Sequence, residues 1–137
     1  MKKLNIAIIG QGRSGRNIHG KFFKSEDNTK FNVVAVVDRI PERRERAKNE
    51  YPGCEVFESY TELFGRKDID VVLNSTTSNE HYSVAKDLLL HGFNVIVEKP
   101  FARTRYECDE LIKLAADKGL KLAVFQQSFF TKSERRI

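Results

Sequence analysis

Ile6-Ala7-Ile8-Ile9-Gly10-Gln11-Gly12-Arg13-Ser14-Gly15 runs from an apolar, β-branched stretch into three glycines at fixed spacing. Lys3–Ile9 reads as a first strand. Arg13–Lys24, with Ile18, Phe22 and Phe23 at helical spacing, reads as the helix after it. Glycines so placed have separate tasks: Gly10 turns tightly out of the strand, Gly12 lets the backbone approach an anion, and Gly15 lets helix and strand pack closely. A helix opening there offers free N–H groups and the positive end of its dipole to phosphate. Gly10, Gln11, Gly12, Arg13, Ser14 and Gly15 are therefore candidate ligand contacts. No lysine and Ser/Thr pair follows at Walker spacing, which points to a dinucleotide's pyrophosphate rather than a nucleoside triphosphate. The other reading of the glycines is a tight turn in a related ligand site.

The next strand, Phe31–Val37, is almost continuously apolar, as a strand covered on both faces should be, and it closes at Asp38. A carboxylate there can accept from both ribose hydroxyls of an adenosine and repels a 2′-phosphate, which predicts NAD rather than NADP. The plainer role is a polar strand end. Arg39 complicates the preference: it can stack on adenine or pair with a phosphate, with Arg43 assisting.

Strand and helix signals alternate through the rest of the chain. Pro41 opens a short charged helix over Glu42–Asn49, Cys54–Phe57 reads as a brief strand, and Thr61–Phe64 as a helical turn. Asp70–Leu73 is a fourth strand, and the wholly polar Asn74–Asn79 a loop. Glu80–Leu90 is a helix with Val84, Ala85, Leu88 and Leu89 on one stripe and Gly92 beyond its end. Asn94–Val97 is a fifth strand. Thr104–Lys118 is a helix opened by a capping box of Thr104 and Glu107, with Cys108, Leu111, Ile112 and Ala115 facing the sheet. Lys121–Phe125 is a sixth strand. Strict alternation predicts an α/β, doubly wound, mostly parallel sheet with helices on both faces, in the order 3-2-1-4-5-6.

Ligands of such sheets bind at the carboxyl ends of the strands where the order reverses. That places Asn74, Ser75, Thr76, Thr77 and Asn79 beside a ribose or pyrophosphate; Asn79 serves equally as a helix N-cap. His81 is either a surface or capping histidine or a contact on the nicotinamide side. Glu98-Lys99-Pro100 closes strand five on the same edge. Lys99 can aim an ammonium at a substrate oxygen, stabilising charge there or relaying a proton. Pro100 fixes the backbone and Glu98 orients Lys99 or meets a ribose. The plainer reading is a solvated strand end followed by a turn.

The totals fit one domain: 137 residues, 40% hydrophobic, with a formal charge of +5. Basic residues gather at Arg39, Arg43, Arg44, Arg46 and Lys48, yet no helix-turn-helix or zinc pattern accompanies them, so no nucleic-acid partner is expected. No apolar run approaches the about 20 residues of a membrane span. The Met1-Lys2-Lys3 start resembles a signal peptide, but the apolar run stops at Gly10 without a cleavage site, which predicts a cytoplasmic protein. Cys54 and Cys108 have neither metal nor redox spacing, so reduced thiols and no metal are expected.

With these residues in hand, the chain resembles the N-terminal part of the glucose–fructose oxidoreductase / inositol dehydrogenase / MocA-like family. The marks are Gly10-x-Gly12-x-x-Gly15, Asp38, Tyr60-x-x-Leu63-Phe64 before Asp70-Val71-Val72, the Thr76/Thr77-Ser78-Asn79-x-His81 loop, and Glu98-Lys99-Pro100. They span roughly residues 3–130. The resemblance implies a Rossmann sheet over 1–125 that binds NAD(P). It implies hydride exchange with a carbinol carbon of a sugar, inositol or related polyol, and Lys99 as the catalytic lysine. It also implies a second domain carrying most of the substrate pocket and the interface of a homo-oligomer. Residues 126–137 read as the start of that domain, cut off or absent, so the 137-residue chain alone is expected to turn over poorly if at all. One departure falls at Gln126-Gln127-Ser128-Phe129-Phe130, where the family often has an Asn, paired arginines and an aromatic. Gln126 takes the Asn position as a cofactor contact; the arginines are missing. The competing reading is a sensor or partner subunit that binds NAD(P) without chemistry of its own.

Overall fold

The computed structural model describes residues 4–10, 31–76, 80–97 and 104–124. Six strands form one sheet: β1 (Leu4–Ile9), β2 (Phe31–Val37), β3 (Glu55–Phe57), β4 (Val71–Asn74), β5 (Asn94–Val97) and β6 (Leu122–Val124). Three described helices connect them: α1 (Pro41–Glu50), α2 (His81–Leu90) and α3 (Arg105–Asp117), with a 3-10 turn at Tyr60–Leu63. The order is β3-β2-β1-β4-β5-β6, and every pair is parallel. This is the order read from the alternation of strand and helix signals. The expected helix Arg13–Lys24 lies outside the described residues.

Side-chain alternation along the strands divides the core into two layers. Ala7, Ile9, Ala35, Val37, Val72, Val95 and Val97 face α2 and α3, whose Val84, Ala85, Leu88, Leu89, Leu111 and Ala115 are buried against them. Ile6, Ile8, Val36, Leu73 and Ile96 face the other way and pack with Ala47 and Tyr51 at the end of α1. Since β1 is buried on both faces, its run of four apolar residues from Ile6 to Ile9 needs no polar alternation.

Three local features differ from the sequence reading. Asn74 is the last residue of β4, in register with Ile9 and Val97, rather than the first of a loop. Ile112 is 55% exposed, because the buried stripe of α3 is Leu111 and Ala115, with Leu114 packed beside them. Ile112 lies about 100° around the helix from Leu111 and so leaves that stripe. At α3 the Thr104 Oγ1 accepts from the Glu107 N–H at 3.1 Å, as a capping residue should. A complete capping box, unread in the sequence, occurs at Ser59 and Glu62, where Glu62 Oε2 accepts from the Ser59 N–H at 3.2 Å and opens the 3-10 turn.

Candidate functional site

The chain leaves the central strand β1 toward β2 and β3 on one side and meets β4, β5 and β6 on the other. The reversal opens a crevice at the carboxyl ends of β1, β2 and β4, and a cleft of about 940 Å³ lies there. That is within the range of small-molecule and cofactor sites. Ile9, Val37, Ile40 and Val84 give it apolar walls, and Gly10 its floor at the end of β1.

Gly10 is held on two sides. Its N–H donates to Val37 O at 2.7 Å, and its φ of +98° takes the chain out of the strand in the left-handed region. A Cβ at that position would lie 2.4 Å from Ser75 O. Glycine is thus required by the approach of the β4 end as well as by the turn.

Asp38 follows β2 directly and is 8% exposed. Its N–H donates to Phe57 O at 3.0 Å, which fixes it beside the end of β3. Its Oδ1 accepts from the Ile40 N–H at 2.9 Å and its Oδ2 lies 3.6 Å from Arg43 Nη1. Arg44 Nη1 donates to its carbonyl at 2.7 Å. The carboxylate is therefore oriented by its own loop, at the cleft wall, with an arginine alongside.

Arg39 points across the mouth of the cleft. Its Nη2 lies 3.6 Å from Glu80 Oε2, at the start of α2. The side chains are 77% and 37% exposed, respectively. Arg39, Arg43 and Glu80 all line the cleft.

The β4 end forms a tight polar knot. Asn74 Oδ1 accepts from the Thr76 N–H at 3.3 Å and from Thr76 Oγ1 at 2.7 Å, and its Nδ2 donates to His81 O at 3.0 Å. His81 Nε2 lies 2.8 Å from Thr76 O. Ser75 and Thr76 line the cleft, whereas Asn74 and His81 are buried behind that wall. The surface reading of His81 does not hold: the residue is 2% exposed. It shares the inward stripe of α2 with Val84, Ala85 and Leu88, a spacing already visible in the sequence.

The third side comes from the β3 end, through Glu58, Ser59, Tyr60 and Glu62, which the sequence reading did not place at a site. Pairing of β3 with β2 carries them beside Asp38. Tyr60 O–H donates to Asp87 Oδ2 on α2. Burial first, and the Asp87 hydrogen bond and charge second, push the phenol up to about 12.

Of the candidate residues, Gly10, Asp38, Arg39, Arg43, Asn74, Ser75, Thr76 and His81 thus converge on one cleft or its backing. Gln11, Gly12, Arg13, Ser14, Gly15, Thr77, Asn79, Glu98, Lys99, Pro100 and Gln126 lie outside the described residues. Among the described residues, no cluster of three or more His, Cys, Asp or Glu could hold a metal, and no helix is long and apolar enough to cross a membrane.

A parallel sheet of this order, with a cleft at its reversal point and a glycine turn leading out of the first strand, defines a Rossmann-type nucleotide-binding domain. Residues 4–126 match the oxidoreductase family with an NAD-binding Rossmann fold, and the chain belongs to that family. An uncharacterised oxidoreductase of Schizosaccharomyces pombe is 34% identical over 131 residues, which are 95% of this chain and 35% of the relative. The NADP-dependent scyllo-inositol 2-dehydrogenase of Bacillus subtilis is 28% identical over 122 residues, 89% of this chain and 33% of the relative. The scyllo-inositol dehydrogenase of Lactobacillus casei, solved with NAD(H) and scyllo-inositol, superposes with a TM-score of 0.79 at 27% identity, covering 90% of this chain and 36% of that one. The chain spans about a third of the length of these relatives. The family cofactor is NAD or NADP.

Proposed function

We propose that the chain binds a nicotinamide dinucleotide in this cleft and forms the cofactor half of an oxidoreductase acting on a sugar, inositol or related polyol. The observation that carries the reading is Asp38, a nearly buried carboxylate oriented by the Ile40 N–H at the wall of the cleft that Gly10 also lines. The donor set fits the cofactor: a carboxylate for ribose hydroxyls, apolar walls at Ile9, Ile40 and Val84 for adenine, and the polar Ser75 and Thr76 toward the pyrophosphate side. Among the residues outside the described set, the backbone from Gln11 to Gly15 would meet the phosphates. Thr77, Asn79, Glu98, Pro100 and Gln126 would complete the pocket. NAD is the expected partner, since the Asp38 carboxylate repels a 2′-phosphate.

A bound nicotinamide would supply the hydride acceptor or donor. The chain's part is to hold it in place and to manage the proton. Lys99 would present an ammonium to the substrate oxygen, stabilising the negative charge that develops there or relaying its proton. Asn74 and His81 act behind the wall, holding Thr76 in position. Residues 1–125 form the dinucleotide domain, and 126–137 begin the part that supplies the substrate wall and the oligomer contacts.

Calorimetric titration of the folded chain with NAD and NADP tests the reading. Saturable binding, tighter for NAD, is expected, with a loss of about tenfold or more for Asp38→Ala. Absence of saturable binding with both dinucleotides overturns the function; tighter NADP overturns the preference.

A further inference from the structure

The arginines nearest Asp38 are already engaged. Arg43 lies against the Asp38 carboxylate and Arg44 donates to its carbonyl. Arg39 is the long, exposed one, and its guanidinium reaches Glu80 rather than Asp38. Glu80 belongs to the opposite wall of the cleft, at the start of α2, far from Arg39 in the chain. The pair therefore spans the mouth and neutralises the cation that adjoins the proposed ribose acceptor.

We propose that Glu80 is a specificity-determining residue: by holding Arg39 across the cleft, it withholds the cation that a 2′-phosphate would need and so biases the site toward NAD. This rests on the dinucleotide reading above. A 2′-phosphate brings close to two negative charges beside the Asp38 carboxylate. It is accommodated only where a cation offsets both. Arg39 is the flexible candidate, and a planar guanidinium suits phosphate well. With Glu80 charged, any phosphate must compete with a carboxylate for it. The competition is mild because the pair is exposed and 3.6 Å apart, so the device tunes the choice rather than fixing it. Glu80 thus acts through Arg39, as a positioning residue.

The test uses the full chain with two ligands of the adenosine half, 5′-AMP and 2′,5′-ADP, which differ only by the 2′-phosphate and need no hydride chemistry. Calorimetry gives the ratio of their affinities, in which a general loss of folding from the substitution cancels. Glu80→Gln is expected to shift the ratio toward 2′,5′-ADP by about threefold to fivefold, less at high salt. In an Arg39→Ala background the shift is expected to vanish, as a double-mutant cycle requires of coupled groups. An unchanged ratio in E80Q overturns the proposal. So does a shift that persists without Arg39, since Glu80 would then act by its charge alone. If the folded wild-type chain binds neither ligand nor either dinucleotide, the dinucleotide reading fails first and this proposal with it.

Discussion

Gly10 and Ser75 meet backbone to backbone: a Cβ on Gly10 would sit 2.4 Å from the Ser75 carbonyl oxygen and 3.0 Å from its carbon. The Ser75 N–H in turn donates to Ile9 O at 2.9 Å. The glycine closes the seam between β1 and the end of β4 before any ligand arrives. Gly10→Ala adds a methyl group against backbone that cannot rotate away and forces an L-residue to a φ of +98°. The expected loss is about 2–5 kcal/mol, read as a lower urea midpoint at unchanged slope. A variant with the wild-type midpoint that has lost only dinucleotide affinity would show that the glycine serves the ligand alone.

Asn74 ties three things at once: the end of β4, Thr76 at the cleft and the first turn of α2. Asn74→Ala removes the side-chain acceptor of the Thr76 N–H and hydroxyl and the donor to the His81 carbonyl. The expected cost is about 2–4 kcal/mol in denaturant unfolding. Thr76 also loses one of its two anchors, so dinucleotide affinity should fall as well. His81→Ala removes the other anchor, the contact of Nε2 with Thr76 O. The two losses should be less than additive, because both act on one residue. Strict additivity in the double variant would mean that the knot does not work as a unit.

Much of this architecture is legible in the chain itself. Alternating strand and helix signals, handed crossovers and the glycine turn after β1 together point to the order 3-2-1-4-5-6, and Gly10 and Asp38 fall on one cleft because each ends a neighbouring strand. Asn74 was legible only as a polar residue. Its burial depends on Thr76 and His81 closing around its amide, which no hydropathy pattern records. His81 was a different kind of miss, since its place on the stripe with Val84, Ala85 and Leu88 already implied burial. Ser59-Tyr60-Thr61-Glu62 carries the Ser-x-x-Glu spacing of a capping box and was equally readable. The Arg39–Glu80 pair was not, because a charge after β2 and one at the start of α2 meet only once the sheet has set those two ends face to face.

Tyr60 gives the protein a titration at high pH. Its phenol is pushed up to about 12, by burial first and then by Asp87, against an ordinary value near 10. The folded state therefore keeps the proton that the unfolded chain releases. The stability this contributes is complete below about pH 10 and is lost as the pH rises from there through about 12. Tyr51 and Tyr82 are also raised, the first by burial and the second by its hydrogen bond to Glu110. The useful quantity is thus the difference between wild type and Tyr60→Phe. Denaturant unfolding at pH 9, 10 and 11 should show Y60F less stable at pH 9, with the gap narrowing as pH rises. A constant gap would mean that the phenol titrates normally.

Lys99 follows β5 by two positions, beyond the last described residue of that strand, Val97. Its proposed role separates cleanly from cofactor binding. If its ammonium stabilises charge on the substrate oxygen, Lys99→Ala should lower kcat by about 10²–10⁴-fold in a form that carries the substrate-binding domain, while changing the dinucleotide Kd far less. Lys99→Arg separates the two ways in which the lysine can act. An arginine keeps the positive charge but does not release a proton near neutral pH. Substantial recovery in K99R would assign Lys99 to charge stabilisation, and a defect equal to that of K99A would assign it to proton transfer. A drop in dinucleotide affinity that matches the drop in kcat/KM would instead make Lys99 an anchor for the cofactor, leaving the proton to another residue.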